Sequence, residues 1–493
     1  MKRRPMNTTS LTREESYRNG HLTHPAFVSI ALLGLITFMG NFTQLQLSSA
    51  LPQIVADFGI PTTVGQWMTS VFQLVMGIMV PLTAFLTKRF STRQIVISSM
   101  VVFTLGSALA WLAPTFPLVL SGRILEAVGS GIMWPVLQIT IFAIFPLNRR
   151  GFAMGTLGMA LSVAPAVGPV LGGWQTDHFG WRSVFLLLFV LGILCLIAVV
   201  LWLRNFNDAD TSQQADFFSV GLSIIGFGGL LYGFTNIESY PLTAPVCWAP
   251  MLVGLVGIVW FVARQLRHDA PLLNLRVLAN RNFRTGTIVA SLSFFAFSSI
   301  IVFMPIYIQD LRGYSATMNG VIWLPGAIGM CIAQFCGGRL LDRYGARPVA
   351  ICGSTLLLLG TFGMATLTLH SWIWLVSIYQ FTRMLGMGCT LMPVTTWSLN
   401  CLDPSEVSAG SAVTNTCRQI AGAIGAPVLV VTMETLSRTR THALQQSMDA
   451  ASAATLGSMF GIHWTLIIST LISACMVVVV IAGIRSSRSV RSR

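Results

Sequence analysis

Arg123 and Glu126 stand three residues apart in LSGRILEAVGSGIMWPV, residues 120–136, where nearly every other side chain is apolar or small. Residues at that spacing share one face of a helix. A carboxyl group held away from water can take up and release a proton. Burial favours its neutral form, a neighbouring guanidinium favours its charged form, and moving either one tips the balance. The plainer alternative is a static ion pair that locks helix packing.

The elements that must hold this pair are membrane helices. The 493 residues are 54% hydrophobic and 9% charged, with mean hydropathy +0.72. A soluble protein carries about 25% charged residues. Apolar runs near the ~20 residues a bilayer requires recur at 26–50, 64–87, 94–113, 117–145, 152–175, 183–203, 218–237, 247–265, 284–308, 318–340, 348–369, 372–400, 407–433 and 460–484. The expected fold class is an all-α polytopic membrane protein with about fourteen transmembrane helices. With span four starting near 117, Glu126 lies roughly 14 Å in, close to the middle of a ~30 Å core. Of the sixteen Asp and Glu, only Glu126 falls deep in a span, and intramembrane ionisable groups usually serve function.

A net charge of +14 raises nucleic acid as a partner, but the basic residues sit in short links between apolar runs. That pattern is a topology signal. With both termini in the cytoplasm, most of the 30 Lys and Arg fall inside. Arg182, Arg312, Arg438 and Arg440 fall outside, and Arg123, Arg383 and Arg418 lie within spans. The nine Cys are scattered without metal-like spacing and read as packing residues. No cleavable leader precedes the first span.

The chain repeats itself weakly. GRILEAVGSGIMWPV (122–136) is echoed by TRMLGMGCTLMPV (382–394), LTAFLTKRFSTRQ (82–94) by CGGRLLDRYGARP (336–348), and AVGPVLGG (166–173) by AIGAPVLV (423–430). The chain therefore divides into a tail (1–25), a six-helix bundle (26–205), a linker with two extra helices (206–283), a second six-helix bundle (284–484) and a tail (485–493). Repeated helical halves place a substrate site between them near the bilayer midplane.

With ALPQIVADFG (50–59), GRILEAVGSG (122–131), APAVGPVLGGWQTDHFGWRSVF (164–185), GGRLLDRYGARP (337–348) and SAVTNTCRQIAGAIG (411–425) in order, the chain resembles the major facilitator superfamily, of the fourteen-helix drug:proton antiporter type. The resemblance implies two six-helix bundles plus two inserted helices, and a proton-coupled efflux antiporter. Such a protein exports amphipathic organic compounds across a bacterial cytoplasmic membrane by alternating access. It implies a monomer, with accessory export components as the protein partners it admits, and no cofactor. Two positions depart from the family pattern. Thr43 stands where an acid is common in the first helix, among the neutral Asn41, Gln44 and Gln46. Lys88 stands before Arg89 where the loop motif has an acid.

On this reading Glu126 carries the proton and Arg123 modulates it, turning toward Gln44 or Gln46 in one state. The cavity takes Asn41, Gln44, Gln46, Trp134, Gln138, Gln380, Arg383, Asn415 and Arg418. The antiporter motif supplies Gly168, Pro169, Gly172 and Gly173. Pro bends the helix and Gly lets a neighbour approach. Gly338, Asp342, Arg343 and Gly345, with Arg89 in the first half, form cytoplasmic latches, Asp342 facing either an Arg or a helix N-terminus. Residues 434–459 read as an outer loop with an amphipathic segment. Three buried arginines against one carboxylate keep export of organic anions, or of one specific metabolite, open as the alternative. A receptor or channel is a third class, against which the paired motifs argue. No GxxxxGK[ST] loop offers ATP a cradle, and no nucleophile constellation or metal cluster points to an enzyme.

Overall fold

Apolar helices satisfy their own backbone polar groups, which lipid cannot do for them. The computed structural model describes residues 13–18, 21–60, 62–65, 67–206, 216–236, 240, 243–268, 271, 273–314, 316–445 and 448–484. Both sequence-expected tails thus lie largely outside the described residues, as do Glu238 and Asp269. The helices that build the body are α1 (His24–Phe58), α2 (Trp67–Arg89), α3 (Thr92–Leu112), α4 (Phe116–Gly131), α5 (Met133–Ile144), α6 (Arg150–Leu161), α7 (Ala164–Phe179) and α8 (Arg182–Trp202). They continue with α9 (Phe217–Asn236), α10 (Pro245–Arg267), α11 (Arg281–Pro305), α12 (Ala316–Tyr344), α13 (Ala346–Ala365), α14 (Trp374–Asn400), α15 (Val407–Leu444) and α16 (Ala450–Gly483). Among the described residues, eight stretches, counting α4 with α5 as one, are long and apolar enough to cross a membrane.

Local chemistry sets the boundaries. Pro occupies the first turn of α1, α4 and α10, where a missing amide costs nothing. Ser91 caps α3 in a reciprocal box with Gln94, and Asn280 caps α11 through the amides of Asn282 and Phe283. The expected span 117–145 is broken. α4 stops at Gly131, four residues before Pro135, which has no amide to give that carbonyl. The span at 152–175 is broken in the same way: α6 stops at Leu161, four residues before Pro165. The expected outer loop 434–459 is mostly absent as a loop. α15 runs on to Leu444 and α16 begins at Ala450, capped by Asp449.

Counting each broken pair as one, the described residues form fourteen helical passes along the body, so His24 and Gly483 lie at one end, called here the terminal end. In the first half α1 packs on α7 and α8, and α4 on α2 and α3. In the second, α14 packs on α12 and α13, and α15 on α11 and α16. The halves meet where α6 packs on α12 and α2 on α15. The inserted pair α9 and α10 pack on each other, with α9 lying along α2 and α15. Apolar side chains such as Leu201, Val256, Leu359 and Val478 stay exposed on the outer surface, as a lipid-facing wall requires.

Candidate functional site

α4 is drawn against α3 by small residues. A Cβ on Gly106 would lie 2.6 Å from the Gly122 carbonyl oxygen and 2.7 Å from the Glu126 amide. This seam brings Ser107 of α3 to Glu126. Ser107 Oγ donates to Glu126 Oε1 at 2.6 Å, and Arg123 Nη1 donates to Glu126 Oε2 at 2.5 Å. Both charged side chains are fully buried. Arg123 Nη1 also donates to Thr43 Oγ1 on α1 at 3.0 Å, and the guanidinium stacks 4.2 Å from the Phe72 ring on α2. The pair is thus read by three further helices. The expected first-helix partners of Arg123, Gln44 and Gln46, give way to Thr43, whose short side chain suits the tight approach. Thr43, Phe72 and Ser107 were the partners that sequence spacing missed. Ser107 does fall on the buried stripe of Ser99, Gly106 and Ala110.

Gln46 serves a different seam. Its Nε2 donates to Gln175 Oε1 on α7, leaving Oε1 without a partner. A Cβ on Gly172 would lie 2.9 Å from Gln46 Cγ. The antiporter motif therefore joins α7 to α1 within the first half. Gly168 and Gly172 are buried and Gly173 is partly so, while the Pro169 side chain lies outside the described residues. Asn41 and Gln44 are both partly buried.

Gln138 and Asn415 come together across the halves. Gln138 Oε1 accepts from Ser411 Oγ at 2.5 Å and from Asn415 Nδ2 at 3.2 Å. In this state they seal the halves to each other rather than open as free cavity wall. Further bridges join the two halves. Gln334 Nε2 donates to Ser162 Oγ at 2.7 Å, Thr87 and Ser408 hydroxyls lie 2.8 Å apart, and Arg150 Nη1 donates to Asn400 Oδ1 at 2.9 Å. Asp342 accepts from the amides of Gly151 at 3.1 Å and Phe152 at 2.7 Å, the first turn of α6. Of the two partners expected for Asp342, the structure selects the helix N-terminus. A Cβ on Gly338 would come 3.0 Å from Gly155 Cα, so glycine lets α12 and α6 touch. Gly345 turns the chain into α13 at φ 85°, a region L side chains avoid. Arg343 stacks on Tyr344 and Arg89 on Phe90. The body is closed at its terminal end.

The remaining expected cations lie in the second half. Arg383 Nη2 donates to the Ala296 carbonyl at 2.9 Å. Arg418 lies over Phe294 at 4.5 Å and Trp134 at 5.9 Å. Gln380, three residues before Arg383 on α14, is 1% exposed. Among the described residues no group of three or more His, Cys, Asp or Glu is arranged to hold a metal.

Comparison with known proteins agrees with this architecture. The family described as Major Facilitator Superfamily matches residues 30–426. The chain is 38% identical over 407 residues to the uncharacterized MFS-type transporter YcnB of Bacillus subtilis (strain 168), covering 82% of this chain and 85% of that protein. It is 32% identical over 411 residues to the lincomycin resistance protein LmrB of the same organism, covering 83% and 85%. The crystal structure of the human organic anion transporter MFSD10 (TETRAN) aligns with a TM-score of 0.61 over 90% of this chain and 98% of that one, at 12% identity, which bears on the fold alone. A transporter rather than an enzyme, this multi-pass membrane chain belongs to the major facilitator superfamily, as a fourteen-helix member of the drug-antiporter type.

Proposed function

We propose that the protein exports amphipathic organic compounds from the bacterial cytoplasm in exchange for protons, by alternating access, with both termini cytoplasmic. The observation that carries this reading is Glu126. It is a fully buried carboxylate at mid-helix, held by Arg123 and Ser107, and wired through Arg123 to α1 and α2. With the termini inside, the contacts at the terminal end close the protein toward the cytoplasm. In that state Glu126 is paired with Arg123. A proton arriving at Glu126 neutralises it and frees Arg123. A compound that shifts α1 or α2 acts on the same guanidinium through Thr43 or Phe72, so that proton and substrate compete. The drug-resistance name of LmrB supports organic compounds as cargo. The fall of charged groups along the links supports the orientation.

The test is proton release from purified protein in detergent on adding a panel of cationic, neutral and anionic compounds, wild type against Glu126→Gln. Release from wild type alone supports the reading. Equal release from the variant assigns the proton to another group and leaves Glu126 as a packing partner of Arg123.

A further inference from the structure

The second half holds polar groups that its fold leaves unanswered. Arg383 is 1% exposed, and beyond its one bond to Ala296 its Nε and Nη1 have no partner. Gln380, equally buried one turn away, has neither its amide nitrogen nor its oxygen partnered. Arg418 Nε is buried and unpartnered as well. The two guanidiniums are linked through two rings. Arg383 lies 5.7 Å from the Phe297 ring, Phe297 lies 6.2 Å from Phe294, and Phe294 lies 4.5 Å from Arg418. Trp134 of the first half closes the chain of contacts at 5.9 Å, its indole Nε1 also without a partner.

A buried polar group left without a partner is costly, and such groups in a native fold call for an occupant or an ordered water. The cost is higher for cations in a membrane interior. Arg123 has a carboxylate, a hydroxyl and a ring beside it, although its Nε and Nη2 are also without a partner. Arg383 and Arg418 have rings, and among the described residues no carboxylate is paired with either. An acceptor-only group with several lone pairs is what guanidinium and amide N–H groups bind best, often two at a time. The rings beside them offer an apolar body a surface.

We propose that Gln380, Arg383 and Arg418 form an anion subsite, which takes the carboxylate or sulfonate of an amphipathic aromatic anion while Phe294, Phe297 and Trp134 hold its body. This names a substrate class for the export reading and rests on it for transport, but the binding step itself needs no proton coupling. The subsite lies about 14 Å along α14 from its start at Trp374, away from the depth of lipid headgroups.

The experiment is calorimetric binding to protein in phosphatidylcholine nanodiscs, with 2-naphthoate and diphenylacetate each paired with its neutral amide. The expected result is that at least one carboxylate binds about tenfold tighter than its amide, a preference that falls to about twofold or less in Arg418→Gln and Arg383→Gln. Arg418→Lys, which keeps the charge, retains part of it. Should Arg383→Gln fail to fold, Arg418→Gln and Gln380→Leu carry the test. Equal binding of both acids and their amides overturns the proposal, as does a preference untouched in Arg418→Gln and Gln380→Leu. Competition by phosphatidylglycerol added to the discs assigns the subsite to lipid phosphate and overturns the exported class. The calorimetry imposes no proton gradient and proton release is read in the separate detergent assay, so loss of anion binding and loss of proton coupling are distinguished.

Discussion

Arg123 and Arg383 occupy matching places on α4 and α14, 260 residues apart, but only Arg123 has a carboxylate one turn on. Gly386 stands where Glu126 stands in the first half. The packing explains why no acid fits there: a Cβ at Gly386 would lie 2.6 Å from the Gly353 carbonyl oxygen and 2.8 Å from Leu357 Cα. The two halves match in shape and differ in charge. The first pairs its buried cation with a carboxylate, and the second, among the described residues, does not.

The Arg123–Glu126 pair predicts a non-additive stability pattern. Removing one partner of a buried pair leaves an uncompensated charge, at a cost of about 3–5 kcal/mol, whereas removing both is often near neutral. Arg123→Met is therefore expected to lower the melting temperature in detergent sharply, and the double variant Arg123→Met with Glu126→Gln to recover most of the loss. Independent, additive losses would show that the two side chains are not energetically coupled.

The seams predict a second pattern. A Cβ on Gly360 would sit 2.6 Å from the Arg383 amide nitrogen and Cβ, so α13 must move away from α14 to accommodate it. Overpacking of this kind costs about 1–3 kcal/mol. Gly360→Ala is expected to melt earlier than wild type. Gly221→Ala on α9, where no atom lies within 4 Å, is expected to match wild type. A silent Gly360→Ala would mean the seam has slack.

Much of this was legible in the sequence, for physical reasons. Length and hydropathy mark out apolar helices, so the fourteen helical passes of the body could be placed. The Arg123–Glu126 pair was readable because residues three apart must meet on a helix. Gln46 and Gln138 were a different matter. Both are polar residues in apolar spans, and sequence offers a cavity and a seam as equal homes for such a side chain. Only the long-range partners, Gln175 and Ser411, put them in seams. The two broken spans were hidden for another reason. Pro135 and Pro393 both follow mid-span arginines, yet α5 starts afresh at Met133 while α14 runs through its Pro. The packing around each proline decides which helix breaks.

Asp342 predicts a shift in the closing equilibrium. It accepts two amide bonds from the first turn of α6 across the halves, and charge-assisted bonds contribute about 1.5–3 kcal/mol each. Losing even 1.4 kcal/mol moves an equilibrium about tenfold. In a cysteine-free background carrying Ser408→Cys, Asp342→Ala is expected to speed thiol labelling from the terminal side by about that factor, with Asp342→Asn between the two. An unchanged rate would assign closure to the other bridges, Arg150–Asn400 and Gln334–Ser162.

The clamp on the inserted helices predicts an acid limit. Asp216 precedes α9 and accepts from Ser219 N at 3.1 Å, from Ser219 Oγ at 2.6 Å, and from Arg264 Nε and Nη2 on α10 at 3.1 Å each. His268 Nε2 lies 3.9 Å away. Burial pushes the Asp216 carboxyl up, but the Ser219 hydroxyl and amide and the Arg264 guanidinium outweigh it and hold the group below its ordinary value of 3.8. A carboxylate lowered by folding adds stability that is fully present above its ordinary value and is lost as pH falls through the lowered one. Amide exchange in the first turn of α9 is thus expected to keep constant protection between pH 8 and pH 5, after correction for intrinsic rates, and to lose it only below about pH 4. Arg264→Gln removes the partner that joins the two helices, and should lower protection about tenfold at neutral pH. Protection that instead fell well above pH 5 would show that the Asp216 carboxylate does not set the clamp.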